Sequence, residues 1–88
     1  MCLAVPGKII SLDETGSMRI ARVDFAGVIT DVCVEWLPEA TTGDYVLTHA
    51  GLAITLLGEE DAMESLRALA EVGEIPFEYL DKLVSESK

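Results

Sequence analysis

Over its first 57 residues the chain is cut into short apolar and β-branched runs by turn-forming clusters spaced roughly 8–12 residues apart, which leaves room for strands and little for helices. Leu3–Leu12 is apolar and β-branched around Pro6-Gly7. Asp13-Glu14-Thr15-Gly16 is a turn cluster, and Met18–Phe25 follows it. Within that run apolar residues fall at 18 and 20, then at 21, 23 and 25, and the change of parity predicts a bulge near Ile20-Ala21. Ala26-Gly27 reads as a two-residue hairpin turn, with Gly27 supplying a positive φ. Val28–Leu37 alternates, placing Val28, Thr30, Val32, Val34 and Trp36 on one face and Ile29, Asp31, Cys33 and Glu35 on the other. On that pattern Trp36 belongs to the core. Pro38–Asp44 is a turn-rich loop, and Tyr45–His49 and Leu52–Leu57 are two more strands around Ala50-Gly51. Five short strands predict a small closed or nearly closed β-barrel, and closure removes the exposed edges that endanger so small a sheet.

Gly58 ends the strand region. Glu59-Glu60-Asp61 then place negative charge where a helix N-terminus favours it. Met63, Leu66, Leu69, Ala70 and Val72 recur at helical spacing, and Gly73 is a natural C-terminal stop. Pro76 suits the start of a second helix, in which Phe77, Leu80, Leu83 and Val84 mark the apolar stripe and Tyr79 falls off it. The expected fold is mainly β: a barrel over 1–57 that carries the N-terminal cysteine arm, and an acidic helical segment over 58–88 belonging to the same domain.

Length and charge limit what such a fold can do. At 88 residues the chain holds one domain and is too short for a dinucleotide-binding fold with a substrate domain, or for a barrel of eight βα units. Its net charge is −10, with seven acidic and three basic side chains over 1–57 and nine and three over 58–88. Phosphate backbones and anionic membrane surfaces are bound through Lys and Arg, so nucleic acid and membrane are excluded as expected partners. No apolar stretch reaches the ~18 residues of a membrane span. No secretory signal is visible, so a cytoplasmic setting with reduced thiols is expected.

Few residues are left to carry chemistry. Removal of Met1 would leave Cys2 with a thiol and an α-amine on one residue; the ammonium favours thiolate, and amine and thiolate together can chelate a metal. Cys2 is then either a terminal ligand or nucleophile, or an exposed end without a role. His49 is the one histidine, at the end of a strand, and is either a metal ligand or a structural ring. Cys33, inside a strand, reads as a small packed hydrophobe. Structural zinc takes four protein ligands, and Cys2, Cys33 and His49 supply at most three, with no CxxC or HxxxH spacing. An incomplete set of this kind suits a metal fragment bound in transit. No phosphate-binding loop, Ser–His–Asp set or dinucleotide turn is present in the sequence.

The same residues carry a resemblance. Met1-Cys2-Leu3-Ala4-Val5-Pro6-Gly7-Lys8 resembles the N-terminal signature of the HypC/HupF/HybG family, the small chaperones of nickel–iron hydrogenase maturation. Val23-Asp24-Phe25-Ala26-Gly27-Val28 is similar to the family's hairpin, and Gly43 through Ile54, with its His49-Ala50-Gly51 block, to its second signature. The similarity runs in order to about Val72. Leu52 stands where the family commonly has Phe, Cys33 matches no motif residue, and Gly73–Lys88 extends past the matched part.

The resemblance implies an oligonucleotide-binding-type (OB-like) β-barrel with a C-terminal helix, used as a carrier and not for nucleic acid. It implies an accessory chaperone and not an enzyme. It implies two partners, a HypD-like iron–sulfur protein and the precursor of the hydrogenase large subunit. The cargo is iron carried transiently as Fe(CN)2CO, with no permanently bound cofactor. Cys2 carries over as the thiol that contacts iron or partner, His49 as a second iron contact, and Cys2, Leu3, Ala4, Val5, Pro6 and Gly7 as the partner-binding arm. Two other classes remain beside it: an enzyme with Cys2 as N-terminal nucleophile, and an acidic protein–protein interaction module without metal chemistry.

Overall fold

Turn chemistry, more than strand propensity, sets the boundaries seen in the structure, a computed structural model describing residues 5–86. Five strands come first: β1 (Gly7–Asp13), β2 (Ile20–Phe25), β3 (Val28–Cys33), β4 (Tyr45–His49) and β5 (Leu52–Leu57). Two helices follow, α1 (Glu59–Glu71) and α2 (Phe77–Glu86). The strands close a barrel in the order β1-β2-β3-β5-β4, so the expected small barrel with a helical tail is what forms.

Both Ala-Gly pairs make tight antiparallel turns. Ala26 and Gly27 have φ of 52° and 97°, and Ala50 and Gly51 of 54° and 79°. Two successive positive φ values give the turn whose twist matches that of paired strands. The first turn is further held by Gly27 N–H, which donates to Asp24 Oδ1 at 2.7 Å.

The barrel interior is filled by Ile9, Val23, Val32, Val34 and Val46, with Ala21, Ala40 and Ala53 as small spacers. No polar or charged side chain is buried among the described residues. Gly7 marks the tightest approach: a Cβ there would overlap the Val23 side chain and the Phe25 ring.

Three expectations are corrected. The bulge lies in β1, between Ile9 and Ser11, and not near Ile20-Ala21; β2 pairs with β3 in unbroken register. The parity change in β2 arises because Ile20 sits opposite Cys33 on the outer face while Ala21 and Val23 face the core. Next, β3 ends at Cys33, and Trp36 is 68% exposed, not core. Leu37 N–H bonds Val34 C=O at 3.1 Å and turns the chain at Glu35-Trp36. Arg19 braces the turn: its guanidinium donates to Leu37 C=O at 3.0 Å and to Ala40 C=O at 2.6 Å.

The third correction concerns α2. Tyr79, Leu80 and Leu83 are its buried residues, whereas Phe77 and Val84 are exposed. The stripe runs through Ile75, Tyr79 and Leu83, four residues apart, and α2 docks by that line.

Helix α1 ends as its sequence predicts. Gly73 has φ of 85°, its N–H bonds Ala70 C=O at 3.1 Å, and Glu74 N–H bonds Leu69 C=O at 2.8 Å, which closes a Schellman motif. Both helices pack on the outer face of the barrel, where Leu66, Leu69 and Leu83 meet Tyr45, with Leu57, Ala26 and Val5 at the border. Truncating a buried leucine of this kind costs ~2–5 kcal/mol. Polar contacts fix the seating more than the strength: Tyr79 O–H donates to Asp24 C=O at 3.4 Å, and Lys8 Nζ lies 3.8 Å from Glu86.

Two outcomes follow from this packing. Gly7→Ala forces a methyl group against Val23 and Phe25, and urea denaturation should show a loss of about 2 kcal/mol. Alkaline pH should undock α2. Burial, and then the Asp24 charge, push the Tyr79 phenol from the usual 10.0 up to about 12. Its contribution is complete below the unfolded value of 10.0 and is lost as pH rises through about 12, because the unfolded chain ionises first. Tyr79→Phe should flatten the fall in stability over that window; an unchanged slope would show that the phenol does not report docking.

Candidate functional site

The candidate residues meet where two short strand pairings come together. Cys33 ends β3 and pairs with Leu52 at the start of β5, the single partnered position between these parallel strands. Leu52 pairs on its other side with His49, the last residue of β4. Residues directly opposite each other share a face, so Ile20, Cys33, Leu52 and His49 form one row across β2, β3, β5 and β4. The flanking residues Val32, Val34 and Ala53 are buried in the barrel, which puts the row on its outer surface.

Strands lie ~4.8 Å apart, so the Cα atoms of Cys33 and His49, with one strand between them, are separated by about 10 Å. Cys33 is a free, half-buried thiol. His49 is exposed, and among the described residues its ring has no hydrogen bond or ion pair. The Ala50-Gly51 turn is tied to β3 by Cys33 N–H, which donates to Gly51 C=O at 2.9 Å. Leu52, half-buried between thiol and imidazole, gives the row an apolar centre.

The base of the N-terminal arm lies beside this row. Cys2, Leu3 and Ala4 fall outside the described residues; Val5, Pro6 and Gly7 fall within them. Pro6 is fully buried and Val5 borders the helical cluster. Gly7 is opposite Val46 and β1 runs antiparallel to β4, so the chain before Gly7 enters from the side towards which β4 runs, that of His49. Val46 is three residues before His49, a rise of about 10 Å.

Other charged groups near the row are already engaged. Asp13, opposite Ile20, accepts from Thr15 N–H at 3.0 Å and Thr15 O–H at 2.7 Å. These two bonds lower the Asp13 pKa. Among the described residues no three His, Cys, Asp or Glu side chains gather to hold a metal ion. The row is therefore an open donor surface: one imidazole, one thiol and an apolar spacer. Sequence periodicity missed the juxtaposition of Cys33 with His49, since it rests on a parallel pairing between strands that are not consecutive. It also missed Arg19, whose hydrogen bonds to carbonyls leave no trace in a hydropathy pattern.

Fold and row together define a small closed barrel with an imidazole and a thiol aligned on its outer face. Residues 1–69 match the HupF/HypC family. The hydrogenase maturation factor HypC of Synechocystis sp. is 41% identical over 75 residues, covering 83% of this chain and 99% of that protein. HypC of Rhodobacter capsulatus is 37% identical over 78 residues, covering 84% and 80%. The maturation factor HybG of Escherichia coli is 32% identical over 76 residues, covering 82% and 92%. The chain belongs to the HupF/HypC family, and its HypC and HybG relatives are named as hydrogenase maturation factors. Helix α2 lies wholly beyond the matched residues. No helix among the described residues is long and apolar enough to cross a membrane.

If His49 serves the outer row and not the core, His49→Ala should leave folding stability unchanged within about 0.5 kcal/mol in urea denaturation. A larger loss would mark the ring as structural.

Proposed function

We propose that this protein is a hydrogenase maturation chaperone that takes part in assembling the Fe(CN)2CO group with a HypD-like iron–sulfur protein and in delivering it to the precursor of the nickel–iron hydrogenase large subunit, in the cytoplasm. The observation that carries the reading is the family match over residues 1–69, with relatives named as hydrogenase maturation factors across four-fifths of the chain.

The chemistry of the residues supports it. Iron bearing cyanide and carbon monoxide is soft, and thiolate is a good ligand for it. Cys2 supplies that thiolate, favoured by the neighbouring α-ammonium once Met1 is removed. His49 supplies an imidazole with no competing partner among the described residues. Gly7 is five residue steps along the chain from Cys2, and an extended chain of five steps spans at most ~18 Å. His49 is well inside that reach. An open donor set leaves coordination positions for ligands already on the iron and for the receiving protein. Residues Cys2, Leu3, Ala4, Val5, Pro6 and Gly7 are the contact arm, its direction set at the buried Pro6-Gly7.

Cys2→Ala should abolish hydrogenase maturation while leaving the fold intact, and His49→Ala should cause a smaller loss. Hydrogenase activity in a strain carrying only the first variant measures this, and normal activity there removes Cys2 from the mechanism. Infrared spectroscopy of the protein purified without oxygen, together with its HypD-like partner, should show bands of iron-bound cyanide and carbon monoxide. A complex lacking those bands would overturn the cargo.

A further inference from the structure

The turn after β3 combines two features that seldom occur together: the chain's one tryptophan is exposed, and the backbone that carries it is held tightly. Trp36 is 68% exposed at the corner of the turn closed by Leu37 N–H on Val34 C=O. Arg19 braces this region with both its backbone and its side chain. Its N–H donates to the Glu35 carboxylate, its C=O accepts from Val34 N–H at 3.0 Å, and its guanidinium holds Leu37 C=O, Ala40 C=O and Glu14. Met18, next to Arg19 on the neighbouring segment, is 52% exposed.

A large aromatic side chain on a braced backbone has only its two side-chain torsions left to order on binding, and tryptophan is among the residues most enriched as interface anchors. The surroundings select the occupant. Glu35, Glu39 and Asp13 are exposed, and the one cation at this node, Arg19, is turned inward with its charge matched by Glu14. A second copy of this chain would bring the same acidic rim, and an anionic lipid surface would be repelled as well. The turn also begins one residue after Cys33, so the surface is continuous with the row that ends at His49.

We propose that the Trp36 turn, with Met18 beside it, is a docking anchor for a protein partner presenting an apolar pocket rimmed by lysine and arginine. The choice of probes rests on the maturation reading above: the HypD-like protein and the large-subunit precursor from the same host, purified without oxygen.

The full chain labelled with 5-fluorotryptophan gives one fluorine resonance, because it has one tryptophan. On adding at least one of the two proteins, that resonance should move and lose its solvent isotope shift. Trp36→Ala should weaken the same complex by about tenfold or more, and Trp36→Phe should restore most of the affinity. A complex that forms with the resonance unmoved and the affinity of Trp36→Ala unchanged overturns the anchor and leaves the maturation reading standing. If neither protein binds the wild-type chain, the maturation reading falls and the anchor falls with it.

Discussion

Closure of the barrel depends on two short seams, and most of what is distinctive about the molecule lies along them. The pairings of β1 with β2, β2 with β3 and β4 with β5 are long antiparallel ladders between chain neighbours. The β1–β4 seam has only Gly7 opposite Val46 and Lys8 opposite Tyr45, extended by Ile9 N–H on Asp44 C=O and Gly43 N–H on Ile9 C=O. The β3–β5 seam has one partnered position, Cys33 with Leu52, and the bond from Cys33 N–H to Gly51 C=O. Gly7 lets the first seam approach Val23 and Phe25 closely enough to fill the interior. Without both seams the sheet would open, and its two free edges would be templates for aggregation.

The two seams are covered differently. The helices lie over the first, where Tyr45, Leu57 and Val5 join the apolar cluster of α1 and α2. Lys8, on the seam itself, is within 3.8 Å of Glu86 near the end of α2. The second seam is left open to the outside, and there Cys33, Leu52 and His49 line up. Strand β1 enters the first seam from the side towards which β4 runs, the side on which His49 and the second seam lie.

Much of this was legible in the sequence because local rules and the global fold agree. Ala26-Gly27, Ala50-Gly51 and Gly73 punctuate the chain where the structure places two tight turns and a helix end, and β4 and β5 have the expected bounds. What was misread depended on contacts between distant segments. The alternation from Val28 runs on to Trp36, yet the strand stops at Cys33, because Val34 C=O is taken by Leu37 N–H in a turn whose far side, Leu37 C=O and Ala40 C=O, is held by the Arg19 guanidinium. The outward Ile20 imitated a bulge that in fact lies across the pair, in β1. A stripe begun at Phe77 leaves Tyr79 off its line, but Phe77 is exposed and Tyr79 is buried. Ile75, Tyr79 and Leu83 share the true line, and the deciding contact, Asp24, is 55 residues away. The alignment of Cys33 with His49 was not legible, since the positions of a cysteine and a histidine in sequence say nothing of a parallel seam between non-consecutive strands.

The charge of −10 acquires a structural meaning once burial is known. Every described buried side chain is apolar, Tyr45 and Tyr79 included, so none of the acidity is used to build the core. Glu59, Glu60 and Asp61 sit in the first turn of α1, where the helix dipole favours them and where Gly58 provides no side-chain cap. The remaining acid residues repel one another across exposed surface, a cost that falls with salt and that apolar packing easily exceeds. Such a surface opposes contact with itself and with anionic polymers and favours basic protein faces. On so small a barrel, with its acid residues outside the core, that bias acts over much of the exposed surface and sets which charges can approach it.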